Sequence, residues 1–159
     1  MVLPIVPQLQ EDPLWCWAAV GSMVTNYYAR SGMGAALAQC DVASRTLARP
    51  CCPSPPPPGN CHMQQNLQKA LLLCDHLNNI SQPSSSFGVA QAELDAGRPL
   101  CAAFQYNLGA LHYLVLTGYD IASAQVALID PATGVLSHGP YTTFLSNNSG
   151  TWAGWIFTK

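Results

Sequence analysis

The chain has 159 residues, of which 49% are hydrophobic and only 9% charged, with a formal net charge of −2 at pH 7. That length suits one domain, able to bury a sizeable core without an obligatory metal or disulfide scaffold. The scarcity and near balance of charge exclude the electrostatic footprint of a nucleic-acid binder or of a protein drawn to an anionic membrane surface. The longest apolar stretches, such as Leu111 to Thr117, fall far short of the roughly 20 residues that cross a bilayer.

In chain order, the first predicted element is a helix from Asp12 to Arg30. Asp12 can cap free backbone N–H groups, and Pro13 suits the first helical position. Ala19, Val20, Met23, Val24, Tyr27 and Tyr28 recur at three- and four-residue spacing, which describes one buried face. Cys16, between Trp15 and Trp17, falls in the first turn. The unpaired N–H groups there favour an anion, so the position suits a reactive thiolate. The two tryptophans are expected to pack in the core and shield that site rather than to contact a ligand.

Next comes a proline-rich loop from Ala48 to His62 that is neither helix nor sheet. With so little apolar bulk it needs crosslinks, and Cys40, Cys51, Cys52 and Cys61 are expected to form two disulfides, Cys40–Cys51 and Cys52–Cys61. Adjacent cysteines rarely pair with each other, although sequence does not fix the connectivity. Zinc held by Cys51, Cys52, Cys61 and His62 is disfavoured, because ligand pairs in zinc modules stand at least two residues apart; no metal is expected. Disulfides point to an oxidising destination, extracellular or periplasmic. Cys74 and Cys101 read as buried structural residues, and His62 and His138 as surface ones.

Helices are predicted at Gln64 to Leu77 and Gly88 to Ala96, with Ser81 to Ser86 as a polar linker between them. Strands follow at Pro99–Gln105, Leu111–Tyr119, Gln125–Asp130 and Thr151–Thr158, and Tyr106 to Ala110 forms a loop on a cleft rim. Helices first and strands afterwards predict an α+β fold, a helical lobe packed on an antiparallel sheet with a cleft between them.

Two of these strands carry polar residues that suit Cys16. His112 opens one, and Asp130 closes the next at an Asp-Pro turn. An imidazole can take the thiol proton, hold the thiolate as an ion pair and later protonate a leaving amine. A carboxylate behind it fixes the ring tautomer and stabilises its charged form.

Gln10, six residues before Cys16, then Trp15-Cys16-Trp17-Ala18-Ala19, His112 with its apolar run to Gly118-Tyr119, and Asp130-Pro131 together resemble the papain-like cysteine peptidases. The likeness is to short bacterial forms, among them secreted peptidases, effector proteases and double-glycine leader peptidases, and it spans Val6 to Trp155. It implies a single papain-like domain over 1–159, helical to about residue 97 and sheet from about 98. It implies Cys16 as nucleophile, His112 as base and acid, Asp130 as orienting residue, and Gln10 with the Cys16 N–H as oxyanion donors; Gln8 is the alternative glutamine.

The expected activity is therefore cleavage of protein or peptide substrates through an acyl-enzyme, by a monomer needing no cofactor. A glutamine deamidase or acyl transferase would use the same thiol, and a non-catalytic peptide-binding module is the contrasting reading. A secreted or delivered effector or toxin, with a cognate inhibitor or immunity protein as partner, concerns biological use rather than chemistry. No basic and then apolar leader stands at Met1, which fits a removed leader, a cytosolic protein or an excised effector domain.

Overall fold

The computed structural model describes residues 2–79 and 86–159; the linker expected at Ser81 to Ser86 lies outside them except for Ser86. Four helices come first, α1 (Cys16–Ala29), α2 (Gln39–Leu47), α3 (Leu67–Leu73) and α4 (Phe87–Asp95). The strand β1 (Leu77–Asn79) lies between α3 and α4. Then follow β2 (Leu100–Tyr106), β3 (Leu111–Asp120), β4 (Gln125–Asp130), β5 (Val135–Pro140), the short α5 (Tyr141–Leu145), β6 (Ser146–Asn147) and β7 (Gly150–Thr158). The sheet is antiparallel in the order β1-β7-β2-β3-β4-β5, with β6 also on β7. This is the α+β arrangement that the element order predicts.

The sheet is apolar on both faces in its centre, which is why β3 reads as an unbroken apolar run instead of an alternating one. Its residues still alternate in direction. Tyr113 and Val115, with Cys101, Ala103, Ile129 and Ile156, meet Trp15, Val20, Met23, Leu67 and Leu71 of the helical side. Leu114 and Leu116, with Leu100, Ala102, Phe104, Val126 and Trp155, meet Ala90, Tyr141 and Phe144 on the other face. The strand β1, within the part expected to be helical, adds an edge to the sheet by pairing with β7, and α4 packs on β2 and β3.

Helix α1 begins at Cys16, later than the predicted Asp12. Asp12 caps a turn instead: its Oδ1 accepts the Leu14 N–H at 2.8 Å, and its backbone carbonyl accepts the Trp15 N–H at 2.9 Å. Helix α3 is shorter than the predicted Gln64 to Leu77, since Asn66 caps its start, accepting from the N–H groups of Gln68 and Lys69. Asp75 then takes a φ of +61° that ends it, and Leu77 enters β1.

Helix α2 was not predicted. No Ser, Thr, Asp or Asn precedes it at Ala38; the backbone N–H of Ala38 instead donates to the Asp41 carboxylate at 3.0 Å, so the cap comes from inside the helix. It packs closely on α1 where a Cβ on Gly21 would stand 3.0 Å from Val42. The exposed β5 and the short α5 and β6 also lacked a periodic apolar signal.

The cysteine loop corrects one expectation. The four crosslinked residues are those predicted, but the pairs are Cys40–Cys52 and Cys51–Cys61. Adjacent side chains in an extended chain point in opposite directions. Cys51 points into the core, where Cys61 is also fully buried, whereas exposed Cys52 faces the first turn of α2 and Cys40. Cys16, Cys74 and Cys101 are free and buried.

Candidate active site

Cys16 is the first residue of α1, so the N–H groups of the opening turn have no upstream helical acceptors. It is only 5% exposed, yet it lines a cavity of about 310 Å³ with Trp17, Gln64, Gln65, Asn66, Leu111 and Tyr113. The helix reaches this place because Trp15 and Trp17 are fully buried beside it. Their indole N–H groups donate to the carbonyls of Cys61 at 2.8 Å and Met63 at 3.2 Å. The tryptophans are core residues, and they clamp the disulfide loop to the helix.

His112 is the second residue of β3, opposite Phe104 of β2. Asp130 ends β4, and the β3–β4 register that pairs Val115 with Ile129 places Asp130 diagonally from His112 on the same face. Nε2 of His112 donates to Asp130 Oδ1 at 2.7 Å. The Cys16 thiol is near enough to the ring to raise its pKa, and with Nε2 engaged by Asp130 it is Nδ1 that stays open for a further partner. The Ala132 N–H donates to the same Asp130 oxygen at 2.8 Å.

The electrostatics follow from that chain. Burial alone disfavours the charged imidazole, but hydrogen bonds and charge from Asp130 and Cys16 outweigh it and push the His112 pKa up to about 9. Burial likewise works against an ionised Asp130, yet the hydrogen bonds from His112 and Ala132 hold its carboxyl below the usual value. The arrangement stabilises an imidazolium beside the ionised Asp130 and next to the Cys16 sulfur, the disposition that an imidazole-assisted thiol nucleophile uses.

Gln10 is bound into the turn that leads to Cys16. Its Nε2 donates to the carbonyls of Asp12 at 2.9 Å and Pro13 at 2.8 Å, and its Oε1 is buried without a protein partner. Its backbone N–H donates to the Pro131 carbonyl at 2.8 Å, tying this segment to the turn after Asp130. Gln8 is held elsewhere, on Ser22 and Gln39.

Two residues that the sequence reading assigned elsewhere belong to these surroundings. Tyr106, predicted as rim loop, ends β2 and stacks on His112 with ring centroids 5.7 Å apart. Burial, with the negative groups Asp130 and Cys16 nearby, pushes its hydroxyl pKa up. The signal was the hairpin register, since pairing of Gln105 with Leu111 puts 106 and 112 on one face. His62 is a surface residue as expected, but it has a carboxylate neighbour after all: Nδ1 lies 2.7 Å from Asp12 Oδ2. Fifty positions separate the two in sequence, so no local pattern disclosed the pair. His138 is exposed and lines a second cavity, of about 290 Å³, on the sheet face beside Asp130.

No curated protein matches the chain. The model of one protein family does, papain-like cysteine protease AvrRpt2, over residues 2–149, a range that holds Cys16, His112 and Asp130 and the strands that unite them. The chain belongs to the papain-like cysteine protease AvrRpt2 family.

Proposed function

We propose that the chain is a cysteine endopeptidase in which Cys16 is the nucleophile, His112 the acid and base, and Asp130 the residue that orients the imidazole. The observation that carries the reading is the 2.7 Å hydrogen bond from His112 to Asp130, with the His112 ring coupled electrostatically to the Cys16 thiol. Sulfur attacks the peptide carbonyl, the Cys–C bond forms, and the carbonyl electrons move to oxygen. The His112 imidazolium gives its proton to the departing amine, leaving a thioester. Water, deprotonated by the now neutral ring, then releases the acid.

The oxyanion is met by the backbone N–H of Cys16, and Gln10 joins it by exchanging one of its two turn carbonyls for the developing charge. Such donors typically contribute about 3 kcal/mol each. Two disulfides fit a secreted protein or one delivered into a target cell, so a protein substrate met outside the producing cell, as an effector or toxin would meet it, completes the proposal. Incubation with a peptide library and mass spectrometry tests it. New termini that vanish in Cys16→Ala support it; mass gain on glutamine without cleavage would replace it with deamidation.

A further inference from the structure

Three consecutive loop residues grip the approach to α1. The Cys61 carbonyl takes the Trp15 indole N–H, the Met63 carbonyl takes that of Trp17, and His62 between them meets Asp12. Cys61 is itself crosslinked to Cys51, so this grip is built into the covalent frame of the loop.

Asp12 is the centre of the turn it serves. The residue is only 5% exposed. One carboxylate oxygen accepts the Leu14 N–H at 2.8 Å and the other meets His62 Nδ1 at 2.7 Å. A carboxylate offers only lone pairs, so Nδ1 carries the hydrogen and donates. The backbone carbonyl of the same residue accepts both the Trp15 N–H and Gln10 Nε2, each at 2.9 Å. The pose of that turn thus decides where the Gln10 amide and the Cys16 N–H point. An exposed ion pair contributes little, but here the carboxylate is buried and would lose one of the two donors to its oxygens with His62, keeping only the Leu14 N–H.

We propose that the Asp12–His62 pair is a positioning device for the oxyanion side of the site, acting through the turn from Gln10 to Cys16. It touches neither the thiol nor the imidazole, so it governs how the tetrahedral oxyanion is met and leaves formation of the thiolate alone. The inference rests on the peptidase reading for its biological use, although its chemistry can be read without a peptide.

Two probes separate the steps. With p-nitrophenyl acetate the Cys16 sulfur attacks a carbonyl, an oxyanion forms and collapses to a thioester, and nitrophenolate leaves. With iodoacetamide the sulfur displaces iodide at a saturated carbon, and no oxyanion arises. Because the His62 side chain is 51% exposed, its replacement leaves the core intact, which a thermal melt verifies. His62→Ala should slow acylation about tenfold, as displacement of positioned groups does, while alkylation proceeds at the wild-type rate. His62→Asn, whose Nδ2 can stand where Nδ1 stood, should restore acylation. On a peptide substrate, His62→Ala should lower kcat with KM held.

Equal slowing of both probes, or slowing of neither, overturns the proposal. So does a wild-type thiol that alkylates yet is never acylated, since it would have no oxyanion to position. A wild-type protein that is acylated but cuts no peptide refutes the peptidase reading instead, and the ratio of the two rates still decides this one.

Discussion

The ring of Tyr106 lies over that of His112 at an interplanar angle of 30°, closing one side of the imidazole that Asp130 holds from another. Water reaching that ring would weaken every charge interaction in the site. Tyr106→Ala should therefore lower kcat/KM about tenfold, or ~1.4 kcal/mol of barrier, and Tyr106→Phe should stay near wild type because the stacked ring remains. Steady-state kinetics of the two variants check this.

Activity should fall at alkaline pH. With a His112 pKa near 9, the imidazolium persists through neutrality and is lost as pH rises through about 9. The stability that the charged ring contributes has the same sign: it is fully present below the ordinary value of 6.5 and disappears as pH rises through about 9. Asp130 acts at the other end, its contribution present above the ordinary carboxylate value of 3.8 and lost as pH falls through its lowered one. Asp130→Ala removes a partner that raises the His112 pKa, so the alkaline limb of kcat/KM should move to lower pH. A pH profile of both proteins measures the shift.

Peptide mapping without reductant should recover Cys40 linked to Cys52 and Cys51 linked to Cys61, with three free thiols. Replacing Cys51 and Cys61 together by Ser should cost about 3 kcal/mol on loop entropy, read as a lower urea midpoint. Activity should drop as well, because the same segment holds Trp15, Trp17 and Asp12. The Cys40–Cys52 double variant should spare activity, since its sulfurs lie at the outer end of the loop.

Gly134→Ala should destabilise the protein by about 1–2 kcal/mol from the left-handed backbone alone. The φ there is +67°, and an added Cβ would stand 2.8 Å from the Leu9 backbone nitrogen. Leu9 precedes Gln10, whose N–H bonds the Pro131 carbonyl, so kcat should fall too. Chemical denaturation and kinetics on one preparation report both effects.

Helical periodicity made α1 legible, and apolar runs bounded by turn residues made β2, β3, β4 and β7 legible. Helix α2 and the edge elements β5 and β6 depend on neighbours: a carboxylate reaching back to Ala38, a disulfide to Cys52, pairing with β4 or β7. Within the site, residue types and order along the chain singled out Cys16, His112 and Asp130. Tyr106 was hidden in what read as loop, and His62 in a run without pattern.

By itself the sequence determined the candidate residues for the chemistry and the longer helices and central strands, since both follow from side-chain type and local spacing. Tertiary structure alone decided which cysteine joins which, that Tyr106 covers His112, and that His62 meets Asp12. Those are contacts between side chains distant along the chain, fixed by strand register, by the direction each side chain takes from its backbone and by the packing of α1 on the loop, none of which is written in local composition.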